Sequence, residues 1–419
     1  MKFSIKQVHI AFLVCALLSS GCTKLGPDFL KPDAPVASEW LEPEETPDDI
    51  TITTDASEYA EWWKAFNDPV LDSFIGMAYE QNLSLQIAGI RILESRAQLG
   101  IAVGNVYPQQ QTAGASVSRN WLSKNAIAPG SPTAFNSANI GLGVGWELDL
   151  WGQFARGIEA ADADVLASIT NYDDVLVSLT GGVANAYTLI RTAEEQLSIA
   201  RNNVEIQKRS LEITTVRFEN GITTELDVQQ ARTLLLNTQA TIPAIEIGLQ
   251  QSKNALSTLL GLPPSNLDEY LQGPGVIPTA PTEVAIGIPA ELLRRRPDIR
   301  TAELAAAAQS ARIGIAQADL YPHFSLVGSV GLSAADNFGV SLGDIAESDS
   351  IQANFGPSVS WDIFNYGRIR NNVRVQDARL QQNLVNYPNV VLEAAREVED
   401  ALVGFIQAKK RVFYLSDSV

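Results

Sequence analysis

Two cysteines and two histidines are the side chains here best suited to metal or covalent chemistry, and their positions nearly exhaust that possibility. Cys15 and His9 fall within the first 21 residues, a charged and then apolar stretch of the kind removed after export. Cleavage there leaves one histidine, His323, and one thiol, Cys22. A histidine-cluster metal site needs several ligands and a thiol nucleophile needs a base, so neither fits within one chain. No intramolecular disulfide can form either. Paired acids occur as Asp173-Asp174 and Glu194-Glu195, which at helical spacing read as solvated faces rather than as a general acid and base. The run Arg294-Arg295-Arg296-Pro297-Asp298-Ile299-Arg300 reads as a helix start with ion pairs to Glu291, Asp298 and Glu303. A phosphate site is the poorer reading, because no glycine loop accompanies it.

The remaining chemistry lies at Cys22. Lys2 and Lys6 are followed by nine apolar residues, Ile10 to Leu18, too few to span a bilayer but suited to a signal peptide. Ser19-Ser20-Gly21 before Cys22 resembles a bacterial lipobox, with Ser19 where leucine is usual. That resemblance implies a covalent lipid, palmitate among its acyl chains, on Cys22 as the first mature residue, and no other cofactor. Gly26-Pro27-Asp28-Phe29 and Lys31-Pro32 read as an extended tether behind it. Acidic residues outnumber basic ones 48 to 30, a net charge of −18, and loss of Lys2 and Lys6 leaves −20. Such acidity argues against nucleic acid as a partner. No later segment reaches 18 consecutive apolar residues, so any membrane crossing must use strands.

The elements that would carry such strands occur twice. Tyr107-Pro108 recurs as Tyr321-Pro322, 214 positions later, and Trp146 and Gly152 recur as Trp361 and Gly367, 215 positions later. A near-constant offset over about 100 residues marks a duplication. Each half reads helix, strand, loop, strand, helix. Pro108 turns the first half extended, and Thr112 to Trp121 alternates weakly. From Ile140 to Leu150, Ile140, Leu142, Val144, Trp146 and Leu148 alternate with Gly141, Gly143, Gly145, Glu147 and Asp149. Ile351 to Ile363 sets Phe355, Val359 and Trp361 against Ser358, Ser360 and Asp362. An apolar face opposite a small, polar one suits lipid outside and water inside, with Gly143, Gly145, Glu147, Ser358, Ser360 and Asp362 toward the water. A half-buried soluble sheet has the same period. Four strands cannot close a membrane barrel, and open edges cannot face lipid, so a spanning barrel must be shared between chains.

Two seven-residue stripes follow Gly152: Ile190, Leu197, Val204, Leu211 and Phe218, then Val228, Leu235, Ile242, Leu249 and Leu256. Glu219-Asn220-Gly221 breaks them, and Thr223 or Thr224 can cap the return, giving an antiparallel helical hairpin. A continuous helix from Gln153 to Phe218 would reach roughly 99 Å at ~1.5 Å per residue, and Pro243 should bend its partner. At the turn, Arg217 and Asp227 are candidates to pair across the hairpin, with Leu226 and Val228 open to a partner.

Together these residues resemble the TolC family of outer-membrane efflux channels, in its lipoprotein branch. The telling pieces are Gly26-Pro27-Asp28-Phe29, Arg295-Arg296-Pro297-Asp298-Ile299, and Arg217, Phe218, Gly221, Leu226, Asp227 and Val228 at the turn. The resemblance implies a mixed α and β fold: long helical hairpins forming a helical barrel, and a twelve-stranded β-barrel shared by a homotrimer. It implies a passive efflux duct for drugs or other toxic compounds, with no enzymatic step. The implied partners are outer-membrane lipid, a periplasmic adaptor at the hairpin tip and an inner-membrane RND-type transporter. A type I protein-secretion duct or a lipid-anchored coiled-coil scaffold without a pore are the alternatives; the scaffold leaves the four alternating strands unexplained.

The expected layout is a signal peptide at 1–21, a tether at 22–60, periplasmic helices at 61–108 and a first transmembrane hairpin at 109–151. A helical hairpin at 152–261, an irregular segment at 262–289 and a helix at 290–321 follow. A second transmembrane hairpin at 322–366 and a helix at 367–419 complete it. By the repeat, the second helical hairpin should run to about residue 475, so about 56 residues of it, with its turn and return helix at the end where the family narrows its pore, are expected to be missing from this sequence.

Overall fold

The computed structural model describes residues 23–37, 39–41, 51–53, 61–264 except 124, 127 and 129, 267–272, 275–279, 283–285, 293–336 and 341–416. It divides into two compact units. One gathers Leu93–Ala167 and Thr301–Asn389 with the described residues up to Ala34; the other gathers Pro35–Ile92, Ser168–Arg300 and the described residues from Val390 on.

Six long α-helices and six strands, with three short 3-10 helices between them, carry the fold of the described residues. The helices are α1 (Pro69–Gln81), α2 (Leu83–Gly104), α3 (Gln153–Glu219), α4 (Glu225–Leu259), α5 (Pro297–Ala318) and α6 (Arg368–Ser416). The strands are β1 (Thr51–Thr53), β2 (Gln110–Trp121), β3 (Ala134–Leu148), β4 (Glu283–Ala285), β5 (His323–Ala335) and β6 (Ile351–Ser360). β1, in the expected tether, and β4, in the segment expected to be irregular, form a small parallel pair. Helix α5 starts at Pro297, where a missing N–H costs nothing. Helix α4 runs unbroken through Pro243.

The duplication is physical. α2-β2-β3-α3 and α5-β5-β6-α6 repeat the same order. Each half pins its second strand the same way: the Trp146 indole donates to the Val106 carbonyl at 3.0 Å and that of Trp361 to the Leu320 carbonyl at 3.1 Å. Gly152 and Gly367, which follow these strands, hold φ of +74° and +83°, a left-handed turn that glycine reaches without strain. In the first unit the strands form one antiparallel sheet ordered β2-β3-β5-β6, whose edges are β2 and β6. Strand β3 begins six residues before the clean alternation does, and β6 ends at Ser360, three residues before its alternation ends at Ile363.

The second unit has a conventional core. Asp68 caps α1 by accepting from Val70 and Leu71, with Pro69 in the first helical turn. Leu71, Phe74, Ile75 and Ala78 of α1 are sealed against Val183, Tyr187 and Ile190 of α3 and Leu256 of α4. Buried Asn82 satisfies two helix ends at once, donating to the Leu259 carbonyl and accepting from the Leu85 amide. Tyr187 donates to Asp68 at 2.6 Å and accepts from Arg191, whose guanidinium also reaches the Leu271 carbonyl and Glu194. Burial, with the Asp68 carboxylate second, pushes the Tyr187 hydroxyl up to about 12, so it stays a donor.

Candidate functional site

The sheet register sorts residue types by face. Directly paired residues share a face in an antiparallel sheet. Leu142 lies opposite Val330, which lies opposite Ala353, and Val144 opposite Gly328, which lies opposite Phe355. On the other face Gly143, Ser329 and Asn354 form one row, Gly145, Val327 and Gly356 another, and Glu147, Ser325 and Ser358 a third. Gly143, Gly145, Glu147, Ser358 and Ser360 therefore share the small, polar face. His323 reaches Glu147 there, Nδ1 to Oε1 at 2.6 Å. Among the described residues nothing covers the apolar face, with Ile140, Leu142, Val144, Phe355 and Val359 all exposed.

Asp362 departs from its expected place. It lies two residues beyond β6, in the turn before α6, and pairs with Arg368 at 3.3 Å. Strand β6 is an edge here, and alternation in sequence does not record whether a pairing neighbour continues as far as the pattern does.

Cys22 lies outside the described residues, but Lys24 to Lys31 of the tether behind it are held in place. Buried Arg156 donates to the carbonyls of Leu25 and Gly26 and pairs with Asp28 and Glu159. Lys24 pairs with Glu159, Lys31 with Glu303, and Ser310 donates to the Pro27 carbonyl. At Gly26 (φ +88°) a β-carbon would come within 2.5 Å of the Gly314 Cα, so two glycines let the tether lie flat on α5. The role of Arg156 is not legible in the sequence; the paired glycines are the only signal pointing to it.

The hairpin turn is built from complementary ends. The amide of Ile222 donates to the Arg217 carbonyl and that of Gly221 to the Phe218 carbonyl, both at 2.8 Å, with Gly221 at φ +72°. This is the Schellman closure of a helix. Thr224 then caps α4 in a capping box with Asp227. The Asp227 carboxylate accepts from the hydroxyls of Thr223 and Thr224 and the Thr224 amide, which lowers its pKa to about 2. Asp227 thus folds the turn instead of pairing with Arg217. Val228 is also corrected: it is 9 % exposed and turns inward with Leu235, while Leu226 stands 65 % exposed. Phe218, at the end of the first stripe, is exposed as well.

The arginine run forms ion pairs, but not all the expected ones. Arg296 binds Asp298 at 2.9 Å and Glu397 at 2.6 Å; Glu303 is taken by Lys31, and Glu291 lies outside the described residues. Among the described residues no cluster of ligand types could hold a metal, and no helix is long and apolar enough to cross a membrane.

A four-stranded sheet with an apolar face and two open edges, in a chain that also carries a long helical hairpin, fits a channel component of the bacterial outer membrane. The model of the outer membrane efflux protein family matches residues 74–262 and 288–418, and the chain belongs to that family. It is 29% identical over 405 residues to nodulation protein T of Rhizobium leguminosarum bv. trifolii, covering 96% of this chain and 83% of that relative. It is 31% identical over 397 residues to SrpC of Pseudomonas putida, the outer membrane protein of a solvent efflux pump, covering 93% of this chain and 81% of that relative. Among solved structures, the outer-membrane channel OprN superposes with a TM-score of 0.82 at 30% identity, over 94% of this chain and 85% of that one. The chain is thus an outer-membrane component of an efflux system.

Proposed function

We propose that three copies of this chain close a twelve-stranded barrel that acts as a passive duct for small toxic molecules. The uncovered apolar face of β3, β5 and β6, opposite a face of glycine and serine, carries this reading: lipid covers the first and water fills the second. Gly143, Gly145, Glu147, Ser358 and Ser360 then line the lumen. Cys22 carries the lipid, and the tether held by Arg156 ties that anchor to the sheet's own unit. The tip around Gly221 and Leu226 receives a periplasmic adaptor, which couples the duct to an inner-membrane RND-type transporter. The duct performs no covalent chemistry and needs no cofactor beyond that lipid. The solvent-efflux relative makes small apolar molecules the first cargo to try.

Planar-bilayer recording of the purified, lipidated protein tests this directly. Discrete, uniform conductance steps are expected. Protein that inserts into the bilayer without any conductance would contradict the duct.

A further inference from the structure

The polar face of the sheet is almost free of charge. Following the register across β2, β3, β5 and β6, it carries glycine, serine, threonine, asparagine and glutamine, with a few apolar side chains such as Val327. Among the described residues of that face only Glu147 and His323 can be ionised, and they touch each other, Nδ1 to Oε1 at 2.6 Å. Neither is sealed off: the His323 side chain is 27 % exposed and that of Glu147 32 %. Both sit at the end of the sheet where the chain passes between strands and helices, Glu147 next to last in β3 and His323 first in β5.

The surroundings lean acidic. Asp319, just past α5, lies near both partners. Burial raises its carboxyl above the ordinary range, Glu147 adds to that, and His323, Gln153 of α3 and Arg368 of α6 act in the opposite sense. Gln153 donates to it at 3.1 Å. Arg368 is engaged by Asp362 at 3.3 Å, and Asp149 accepts from the Ala155 amide at the start of α3. Ser325 and Ser358 in the row of Glu147, and Ser360 opposite His323, bring no charge. Among the described residues His323 is thus the only cation paired with Glu147.

Resting on the duct reading above, we infer that Glu147 and His323 form a charge filter at one mouth of the barrel: Glu147 gives the strand section its preference for cations, and His323 sets how strong that preference is. A charged imidazole cancels most of the field of the carboxylate. A neutral one still donates its Nδ1 proton to Glu147 but leaves the negative charge to the lumen. Histidine is the side-chain type that changes charge between about pH 5 and 8, so the preference grows as pH rises. Three copies place three such pairs around the path. The rest of the strand lumen carries no charge of its own, so neutral molecules pass the filter indifferently, while organic cations are favoured over organic anions.

Reversal potentials of the full, lipidated chain in planar bilayers under a potassium chloride gradient test the filter. In the unmodified protein the potassium-to-chloride permeability ratio should rise between about pH 5 and 8. His323→Gln should raise the ratio about two-fold at the acid end, the weight of a unit charge acting through water from about 10 Å, and should flatten its pH profile. His323→Lys, whose charge is fixed, should instead hold the ratio at the low value of the acid end. Glu147→Gln should lower it at the alkaline end. Each variant is scored only on protein that keeps its native mass and thermal midpoint; His323→Lys, which retains a cation beside Glu147, serves if His323→Gln folds poorly. The shifts should shrink as salt rises from about 0.1 M to 1 M, where the screening length falls from about 10 Å to 3 Å. Conducting channels whose ratio and pH profile are the same in His323→Gln and Glu147→Gln as in the parent overturn the filter while leaving the duct standing, as does a shift that ignores salt. Inserted protein without conductance overturns the duct and the filter with it.

Discussion

Phe74, Ile75 and Val183 are sealed inside the second unit, whereas Leu142, Val144 and Phe355, just as apolar, stand exposed on the first unit's sheet. The helical unit seals one apolar cluster within the chain, and the apolar face of the sheet seals none. Burial inside the chain gives stability in any solvent. Exposure on a continuous face gives stability only once lipid covers it, because apolar area contributes only when removed from water. The comparison teaches that one chain carries both a self-sufficient core and a surface made for a bilayer.

Core truncation should do the most damage. Phe74→Ala should cost about 3–5 kcal/mol and lower the thermal midpoint of the helical signal in detergent. Leu142→Ala, at a side chain 58 % exposed, should leave that midpoint nearly unchanged. Equal losses from the two would break the comparison. In a bilayer the order shifts: Leu142→Arg should cost about 2–4 kcal/mol of insertion stability near the midplane, and Ser358→Arg on the opposite face far less. Unfolding from liposomes reads the difference. Arg191→Met, which removes a donor to the Tyr187 hydroxyl and strands the buried Leu271 carbonyl, should cost about 1.5–3 kcal/mol with the sheet unaffected.

At the hairpin turn the effects are smaller and functional. Leu226→Asp should keep trimer yield and midpoint while adaptor crosslinking and drug resistance fall; loss of the trimer as well would make Leu226 a packing residue. The turn should also respond to acid. Asp227 is held below its ordinary value, to about 2, so its contribution is present above pH 3.8 and is lost as pH falls toward 2. Amide exchange at the turn should therefore speed up over that window, and Asp227→Asn should remove the pH dependence. An unchanged profile in Asp227→Asn would mean that the cap does not set turn stability.

Patterns that are local in sequence were legible: the repeat, the alternation of β3, the inward stripes of α3 and α4, and the Thr224 cap. Roles set by a distant neighbour were not. Arg156 reads as one more helical arginine until Gly26 and Gly314 bring the tether against it. Asp227 offers a charge to Arg217 on paper, yet two nearby hydroxyls reach it first. Val228 and Leu226 are two residues apart and equally apolar, and only the winding of α4 decides which one turns inward. Asp362 continues an alternating pattern whose strand has already ended.

The central claim is that the two faces of β3 touch different solvents. Cysteine substitution at Leu142, Val144, Glu147 and, on β6, Ser358 in intact outer membranes tests it most directly. Glu147→Cys and Ser358→Cys should react with a water-borne maleimide small enough to enter the duct. Leu142→Cys and Val144→Cys should resist it and react with a lipid-phase probe. Equal labelling of all four positions by the water-borne reagent would contradict a lipid-embedded barrel.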